Sequence, residues 1–537
     1  MKKTAILLLL ALAAATVGAF AANKRTEAMT PEQKLRIASM IIDNYYVEEV
    51  NSDSIVDEAI IAMLKTLDPH SSYTTPAETE ELNQPLEGKF SGIGIQFSMV
   101  EDTVYVIQTT GGGPCEKMGV RPGDRIISAN DTVIAGKKLN NSAIIKVLRG
   151  PKGSVVNLKV KRQGVADLID FRIVRDDIPI YSVDAAYMVN DSTGYISVSR
   201  FAEKTDAEVR QAADSLSNVG MRHLIIDLSS NGGGYLGSAF QLASEFLRAG
   251  DPVVFTKGLH TTPTYFNAER NGSINVDRLV VMVDQYSASA AEIFSGAIQD
   301  NDRGLVVGRR TFGKGLVQRP FPFPDGSMIR LTTSRYYTPT GRCIQKPYEK
   351  GHGEEYQLDV LNRYNSGELF SADSIKLDTE NPYYTLHNHR TVYGGGGIMP
   401  DVFVPVDTTR ATPYYRDMVA KGVINKYVLN YVEQHRRDIK RQYRNEEDFA
   451  NNFTVTDEML QTLIAAGTEA GIEFNEEQWE RSSVTIAAVL KGLLTRDLFE
   501  KGIYVRSTNP LNPDFLEAVR LINDPERYSR LLSGAKE

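Results

Sequence analysis

Ser289 stands in a run of small residues, Ser287-Ala288-Ser289-Ala290-Ala291, that links the apolar stretch Leu279-Val280-Val281-Met282-Val283 to a helix-type segment around Glu292-Ile293-Phe294. The apolar stretch reads as a buried strand, so the chain passes from strand to helix through side chains that leave room for a second polypeptide backbone. A serine at that junction has free helix N–H groups and the positive end of the helix dipole beside its hydroxyl, which suits a developing oxyanion. The same serine also reads as a plain helix N-cap. Lys314 follows 25 positions later (289 to 314), in Thr311-Phe312-Gly313-Lys314-Gly315-Leu316-Val317-Gln318. Flanked by glycines just after the strand-like Gly304-Leu305-Val306-Val307-Gly308, it lies on a tight turn that either points inward or sits on the surface. To act as a base at neutral pH its pKa must fall by roughly 3 units, about 4 to 5 kcal/mol, which burial among apolar groups supplies. Gln318 is placed to orient its amine.

Other chemistries lack their residues. None of the seven histidines forms a His-Glu-x-x-His pair, and His387-x-His389 is the only close pair, in a polar stretch, so no metal is expected. There is no Gly-x-Ser-x-Gly elbow. Gly313-Lys314-Gly315 is followed by Leu316 rather than by the ending of a nucleotide P-loop, and no cofactor is expected. His70, in the turn Leu67-Asp68-Pro69-His70-Ser71-Ser72-Tyr73, reads as a helix-end residue.

The elements that must position these residues divide the chain. A length of 537 residues suggests three or four compact units. Residues 30–85 carry helical periodicity, with Leu35, Ala38, Ile41 and Ile42 on one face and Ile55, Ala59, Ile60, Met63 and Leu64 on another, as in two helices that pack. Residues 88–175 change to short alternating strands, among them Val104–Ile107 and Val155–Val160, interrupted by short helical pieces at 114–118 and 142–148. Residues 176–408 alternate strand and helix around continuous apolar strands, which points to an α/β sheet covered on both faces. A polar insertion at 347–391 is expected to be a loop. Residues 409–537 are helical, with Ile424, Tyr427, Val428, Tyr431 and Val432 on one stripe and a basic run, His435 to Arg441, read as a solvated face.

The order of elements in 88–175, with the turns Gly119-Val120-Arg121-Pro122-Gly123-Asp124 and Leu148-Arg149-Gly150-Pro151-Lys152-Gly153, resembles a PDZ domain. Its physical content is Gly92, Ile93, Gly94 and Ile95, where glycines let successive N–H groups turn toward a peptide's terminal carboxylate and the adjoining strand edge pairs with the peptide backbone. A glycine-containing strand start with no ligand is the plainer reading of those residues alone.

Together the segments resemble the carboxyl-terminal processing, or tail-specific, proteases, a serine peptidase family with a Ser–Lys dyad. The resemblance runs from Leu35 to about Val406 and includes Ile226-Asp227-Leu228-Ser229-Ser230-Asn231-Gly232-Gly233-Gly234 and Tyr337-Thr338-Pro339-Thr340-Gly341-Arg342. It implies Ser289 as nucleophile, Lys314 as general base, Gln318 as its support, and the N–H groups of Ala290 and Gly233 as the oxyanion hole. It further implies a multidomain α/β fold: an N-terminal helical segment, a PDZ-like domain, a ClpP/crotonase-like peptidase core and a C-terminal helical extension. Three positions depart from the family pattern: Ser229 for the common arginine, Gly232 for proline, and Ala291 for a second serine. The implied substrates are proteins or peptides with free C-termini, with an adaptor or a second copy as further partners. A non-catalytic scaffold or chaperone on the same fold is the competing reading, and intact Ser289, Lys314 and Gln318 weigh against it.

Lys2 and Lys3, the apolar run from Ala5 to Ala19 and the small-x-small Ala19-Phe20-Ala21 read as an export signal over residues 1–21, or as an uncleaved anchor in contact with a membrane. Either places the remainder outside the cytoplasm, in the periplasm or cell envelope. A net charge of −8 gives no general attraction to nucleic acid. Cys115 and Cys343 fall in different modules, which weighs against a disulfide.

Overall fold

The computed structural model describes residues 29–499 and 503–535, so the export segment lies outside the described residues. Helices Pro31–Tyr45 and Ser52–Lys65 form as expected, the first opened by a capping box between Thr30 and Gln33. Their apolar faces do not close on each other. Leu35, Met40 and Ile41 are 50 to 56 % exposed, and only Leu64 is buried. The turn after them feeds strand Ser72–Thr74 and helix Pro76–Glu87.

The next unit is a six-stranded sheet. Strands Ile95–Val100, Thr103–Thr109, Arg125–Ala129, Val155–Lys161 and Ile169–Val174 lie in that order, with Thr132–Val133 beside the third. Val155–Lys161 shows why it forms: Val156, Leu158 and Val160 are fully buried on one face while Asn157 and Lys159 face solvent. Ile95–Val100 is an edge strand with one free side.

The unit that carries Ser289 and Lys314 holds a second six-stranded sheet, ordered Val183–Met188, Thr193–Val198, His223–Asp227, Arg278–Val283, Leu305–Gly308 and Val402–Phe403. All but the first pairing are parallel. Helices Thr205–Ser217, Leu236–Ser244 and Ala290–Asp300 cover one face through Val209, Phe240, Leu242, Phe294 and Ala297. Helices Pro513–Asn523 and Pro525–Leu532 cover the other, with Phe515, Leu521, Ile522 and Tyr528 packed on Val280, Met282, Leu305 and Val307. The expected single extension at 409–537 therefore divides. Residues 413–508 build their own helical core, and 513–532 cover the sheet that leads to Ser289, locked by a bidentate pair between Arg309 and Asp514 at 2.7–2.8 Å.

A five-stranded antiparallel sheet sits beside this layer: Ser72–Thr74, Met328–Tyr337, Pro252–Gly258 and Thr261–Asn267 in order, with Leu316–Pro322 also paired to Met328–Tyr337. The polar insertion is not a free loop. It contains helices Gly353–Gln357 and Asp359–Asn365, and buried pairs anchor it: Arg363 and Arg310 to Glu368, and Arg390 to Asp302 and Asp401. The basic run is also more than a solvated face, since Ile439 is buried and Arg436 donates to the Asp497 carbonyl. The separate helical unit leans on the first sheet domain through Leu429 against Tyr105 and Ile107, the Arg125–Glu433 pair, and Gln108 donating to the Phe499 carbonyl. No helix among the described residues is long and apolar enough to cross a membrane, and Cys115 and Cys343 are unpaired.

Candidate active site

Ser289 caps helix Ala290–Asp300 at φ +56°, ψ −112°, a conformation L-residues avoid unless their surroundings impose it. What imposes it is Glu292. This carboxylate has no solvent exposure, and it accepts from Ser289 N–H at 2.8 Å, Lys314 N–H at 2.9 Å, Gly313 N–H at 2.7 Å and the Thr311 hydroxyl at 2.5 Å. One buried group thus fixes the backbones of both residues singled out in the sequence. Burial pushes its pKa up, and the four donors pull it back. Tyr336, also buried, lies against the same two backbones, its single hydroxyl proton shared between the carbonyls of Ser289 and Lys314.

Ser289, Lys314 and Gln318 line one cavity of about 500 Å³, together with Gly232, Gly233, Gly234, Tyr235, Arg330 and Tyr336. Lys314 Nζ donates to Gln318 Oε1 at 3.1 Å and meets no carboxylate among the described residues. Burial, then repulsion from Arg330, lowers its pKa against the opposing pull of Glu292 and Asp68. The Gln318 amide nitrogen in turn donates to the His70 carbonyl. That carbonyl is set by Asp68, which accepts from the N–H groups of His70 and Ser71 at 2.8 and 2.9 Å and from the hydroxyls of Ser71 and Thr332 at 2.6 and 3.0 Å. The His70 ring meets the Tyr356 hydroxyl at 2.9 Å, and its pKa is lowered to about 4, chiefly by burial and then by Lys314. The ring is therefore neutral at ordinary pH, and His70 acts through its backbone. Ser289 and Lys314 face the same space without a direct hydrogen bond in this state, as in other sites that tighten only around substrate.

The glycine loop packs directly against the serine. A Cβ on Gly233, whose φ is +100°, would come within 2.7 Å of the Ala288 carbonyl, 2.8 Å of Ser289 Cβ and 2.9 Å of Ala290 N. The Ala290 N–H meets no acceptor among the described residues, whereas the Gly233 N–H donates to Asn231 Oδ1 at 2.8 Å. Asn231, wholly buried, also donates to the Val198 carbonyl and accepts from Ala288 N–H, so it joins the loop to the serine's strand. Among the described residues no cluster of three or more His, Cys, Asp or Glu side chains is arranged to hold a metal.

Gly92, Ile93, Gly94 and Ile95 lie far along the chain from this cavity, where the ribbon Lys89–Gly92 with Asp176–Pro179 passes into the open edge strand. Gly94 has φ +72°, and Ile93 is buried in the domain core. Helix Asn141–Leu148 belongs to the same domain. Arg149 at its end stacks over Phe90 at 4.3 Å and donates to Gln84 of helix Pro76–Glu87, whose Asn83, Leu86 and Glu87 line the serine's cavity. Glu292, Tyr336, Asn231 and Asp68 were not singled out from the sequence. Glu292 alone had a signal, three positions after a candidate cap in a capping-box pattern.

Family models match four stretches: peptidase family S41 at residues 192–351, PDZ domain at 91–173, the activating protease CtpB N-terminal domain at 12–79, and a family of unknown function at 414–500. The chain is 34% identical over 382 residues to the carboxy-terminal processing protease CtpB of Bacillus subtilis, covering 69% of this chain and 76% of that one. It belongs to the carboxy-terminal processing proteases. A second member, CtpA of the same organism, is 31% identical over 344 residues, 62% of this chain and 73% of its own length. Among solved structures, the photosystem II D1 C-terminal processing protease aligns over 58% of this chain and 90% of that one, at 27% identity and a TM-score of 0.33. As a carboxy-terminal processing protease, the protein is a PDZ-containing serine peptidase, and the scaffold reading is not favoured.

Proposed function

We propose that Ser289 is the nucleophile of this peptidase and Lys314 its general base. The observation that carries this is Lys314 itself: an amine facing the serine's cavity, without an acidic partner, its pKa lowered by burial, and its one hydrogen bond given to Gln318. Neutral Lys314 takes the proton of Ser289 Oγ as that oxygen bonds to the scissile carbonyl carbon. The resulting ammonium gives the proton to the departing amine when the C–N bond breaks. Water, deprotonated by the same lysine, then attacks the acyl-enzyme ester, and the lysine returns that proton to Ser289 Oγ as the ester C–O bond breaks. Ala290 N–H supplies one oxyanion donor. Gly233 N–H supplies the second once substrate draws it from Asn231, a change of one hydrogen bond. Gln318 orients the amine.

The open edge of Ile95–Val100, entered through Gly92-Ile93-Gly94, supports recognition of substrate C-terminal tails by strand addition. The exposed apolar face of the N-terminal helices supports assembly with a second copy or an adaptor. The charge and apolar pattern of residues 1–21 supports work in the periplasm or cell envelope, with the segment removed or kept as a membrane tether.

The test is single-turnover cleavage of an unstructured protein with a free apolar C-terminus, by wild type, Ser289→Ala and Lys314→Ala, all shown to be folded. Both variants are expected to lose cleavage and keep tail-peptide binding. Cleavage by either one rejects the assignment.

A further inference from the structure

The cavity that holds Ser289 and Lys314 contains a second cation with no part in the proton transfers above. Arg330 sits near the start of strand Met328–Tyr337, paired in register with Ser72 on one side and Pro320 on the other, and lines the cavity. It is half-buried. Its one hydrogen bond runs from Nη2 to Asn83 Oδ1 at 3.0 Å, and it makes no ion pair among the described residues. The arginines of the surrounding core differ: Arg309, Arg310, Arg342, Arg363 and Arg390 each meet a carboxylate at 2.6 to 2.7 Å.

The acids near the cavity do not fill this gap. Glu292 and Asp68 are each occupied by four donors, from their own turns and from the segments packed against them. Glu87, which lines the cavity, is solvent-exposed and not paired with Arg330. Tyr235 feels Arg330 together with Glu87 and Glu203. A guanidinium carries five N–H donors in a planar fork whose natural complement is a carboxylate held by two parallel bonds. Here most of that fork is unused, and it opens onto the space a substrate backbone must cross to reach Ser289.

We propose that Arg330 forms a carboxylate-binding subsite of the catalytic cleft, which takes an acidic side chain or the free terminal carboxylate of the peptide lying against Ser289. The inference rests on the Ser289–Lys314 reading and extends it to substrate choice. It also links choice to chemistry. Arg330 repels a proton on Lys314, so a carboxylate seated on Arg330 cancels that repulsion and strengthens the base where the correct substrate is bound.

The test compares the full-length protein with Arg330→Gln and Arg330→Lys on matched peptides. One series exchanges Asp for Asn at each position from three before to three after the cut, and a second ends in either a free carboxylate or an amide. Wild type is expected to favour the carboxylate by about ten- to a hundredfold in kcat/KM in one of the series, the range of a charge-assisted pair. Preference at an internal position identifies a side chain, and preference for the acid end identifies the terminus. Arg330→Gln should erase the ratio and move the acid limb of kcat/KM to higher pH, while Arg330→Lys retains part of the ratio. A wild type indifferent to the carboxylate in both series overturns the subsite, as does a preference that survives Arg330→Gln, or a Gln variant that loses neutral and acidic peptides equally. Cleavage by Ser289→Ala would instead strike the dyad, and leaves the Arg330 ratio to be read by itself.

Discussion

Replacing Glu292 with glutamine keeps the shape of the side chain and removes its charge, which makes it a sharp probe of what holds the dyad in place. One oxygen becomes an NH2 group, and the amide must choose which pair of donors to face. On one side stand Ser289 N–H and Lys314 N–H, neither able to accept. On the other stand Gly313 N–H and the Thr311 hydroxyl, and the hydroxyl can rotate and accept. Glutamine should therefore turn its NH2 toward Thr311 and Gly313, keeping the Ser289 and Lys314 bonds as neutral ones and losing the Gly313 bond. One charge-assisted bond lost to a buried site costs about 1.5 to 3 kcal/mol. Glu292→Ala loses all four, roughly 6 kcal/mol or more on the same scale, and opens a cavity besides. Urea denaturation should show this order, with the glutamine variant folded and shifted by about 2 to 3 kcal/mol. Its kcat should fall by about a hundredfold, because Gly313 is the residue before the base and a displacement of about 1 Å costs that much. A glutamine variant with wild-type stability and wild-type kcat would refute the claim that this carboxylate holds the site together.

Because Lys314 must be neutral to act, activity is lost as pH falls through its pKa; we expect a kcat/KM profile with a single acid limb centred below the usual lysine value of about 10.4, and no activity at any pH for Lys314→Arg, whose side chain stays protonated. An acid limb at or above the ordinary value, or turnover by the arginine variant, would contradict the assignment. Gly233→Ala places a methyl group among Ala288, Ser289 and Ala290 at a positive φ, and should cut kcat by a hundredfold or so while costing about 1 to 3 kcal/mol in a denaturation curve. Asp514→Ala strands Arg309 in a buried setting and should destabilise the catalytic unit by about 3 to 5 kcal/mol, and adding Arg309→Met should recover much of that loss; an Asp514→Ala variant of wild-type stability in a denaturation curve would mean the helix docks by apolar contact alone.

Residues that act through local pattern were legible in the sequence. The strand-to-helix junction at Ser289 and the glycine-flanked Lys314 announced themselves, and so did alternation in strands such as Val155–Lys161. What escaped was tertiary. Asp68 and His70 reach Gln318 across about 250 positions of chain (70 to 318), and nothing in their turn's sequence points to that contact. Glu292 drew no reading of its own, because three of its four bonds come from a loop some twenty residues on. Helices 513–532 carry the same amphipathic signal as their neighbours, and periodicity alone says only that a face is buried, not against which unit. The polar insertion at 347–391 looked loose because its order comes from arginine–carboxylate pairs, which read as solubility in a linear sequence.

The two helices that seal the catalytic sheet come last in chain order. Until Pro513–Asn523 and Pro525–Leu532 arrive, Val280, Met282, Leu305 and Val307 present a bare apolar surface, and Arg309, five residues before Lys314, has no counter-charge. A growing chain thus carries Ser289 and Lys314 well before it carries the cover on their sheet. That face of the sheet therefore waits for its cover on a segment about 200 positions beyond Lys314 (314 to 513). It also means that a nick between the helical unit and Pro513 would leave the cover held by its apolar packing and the Arg309–Asp514 pair alone.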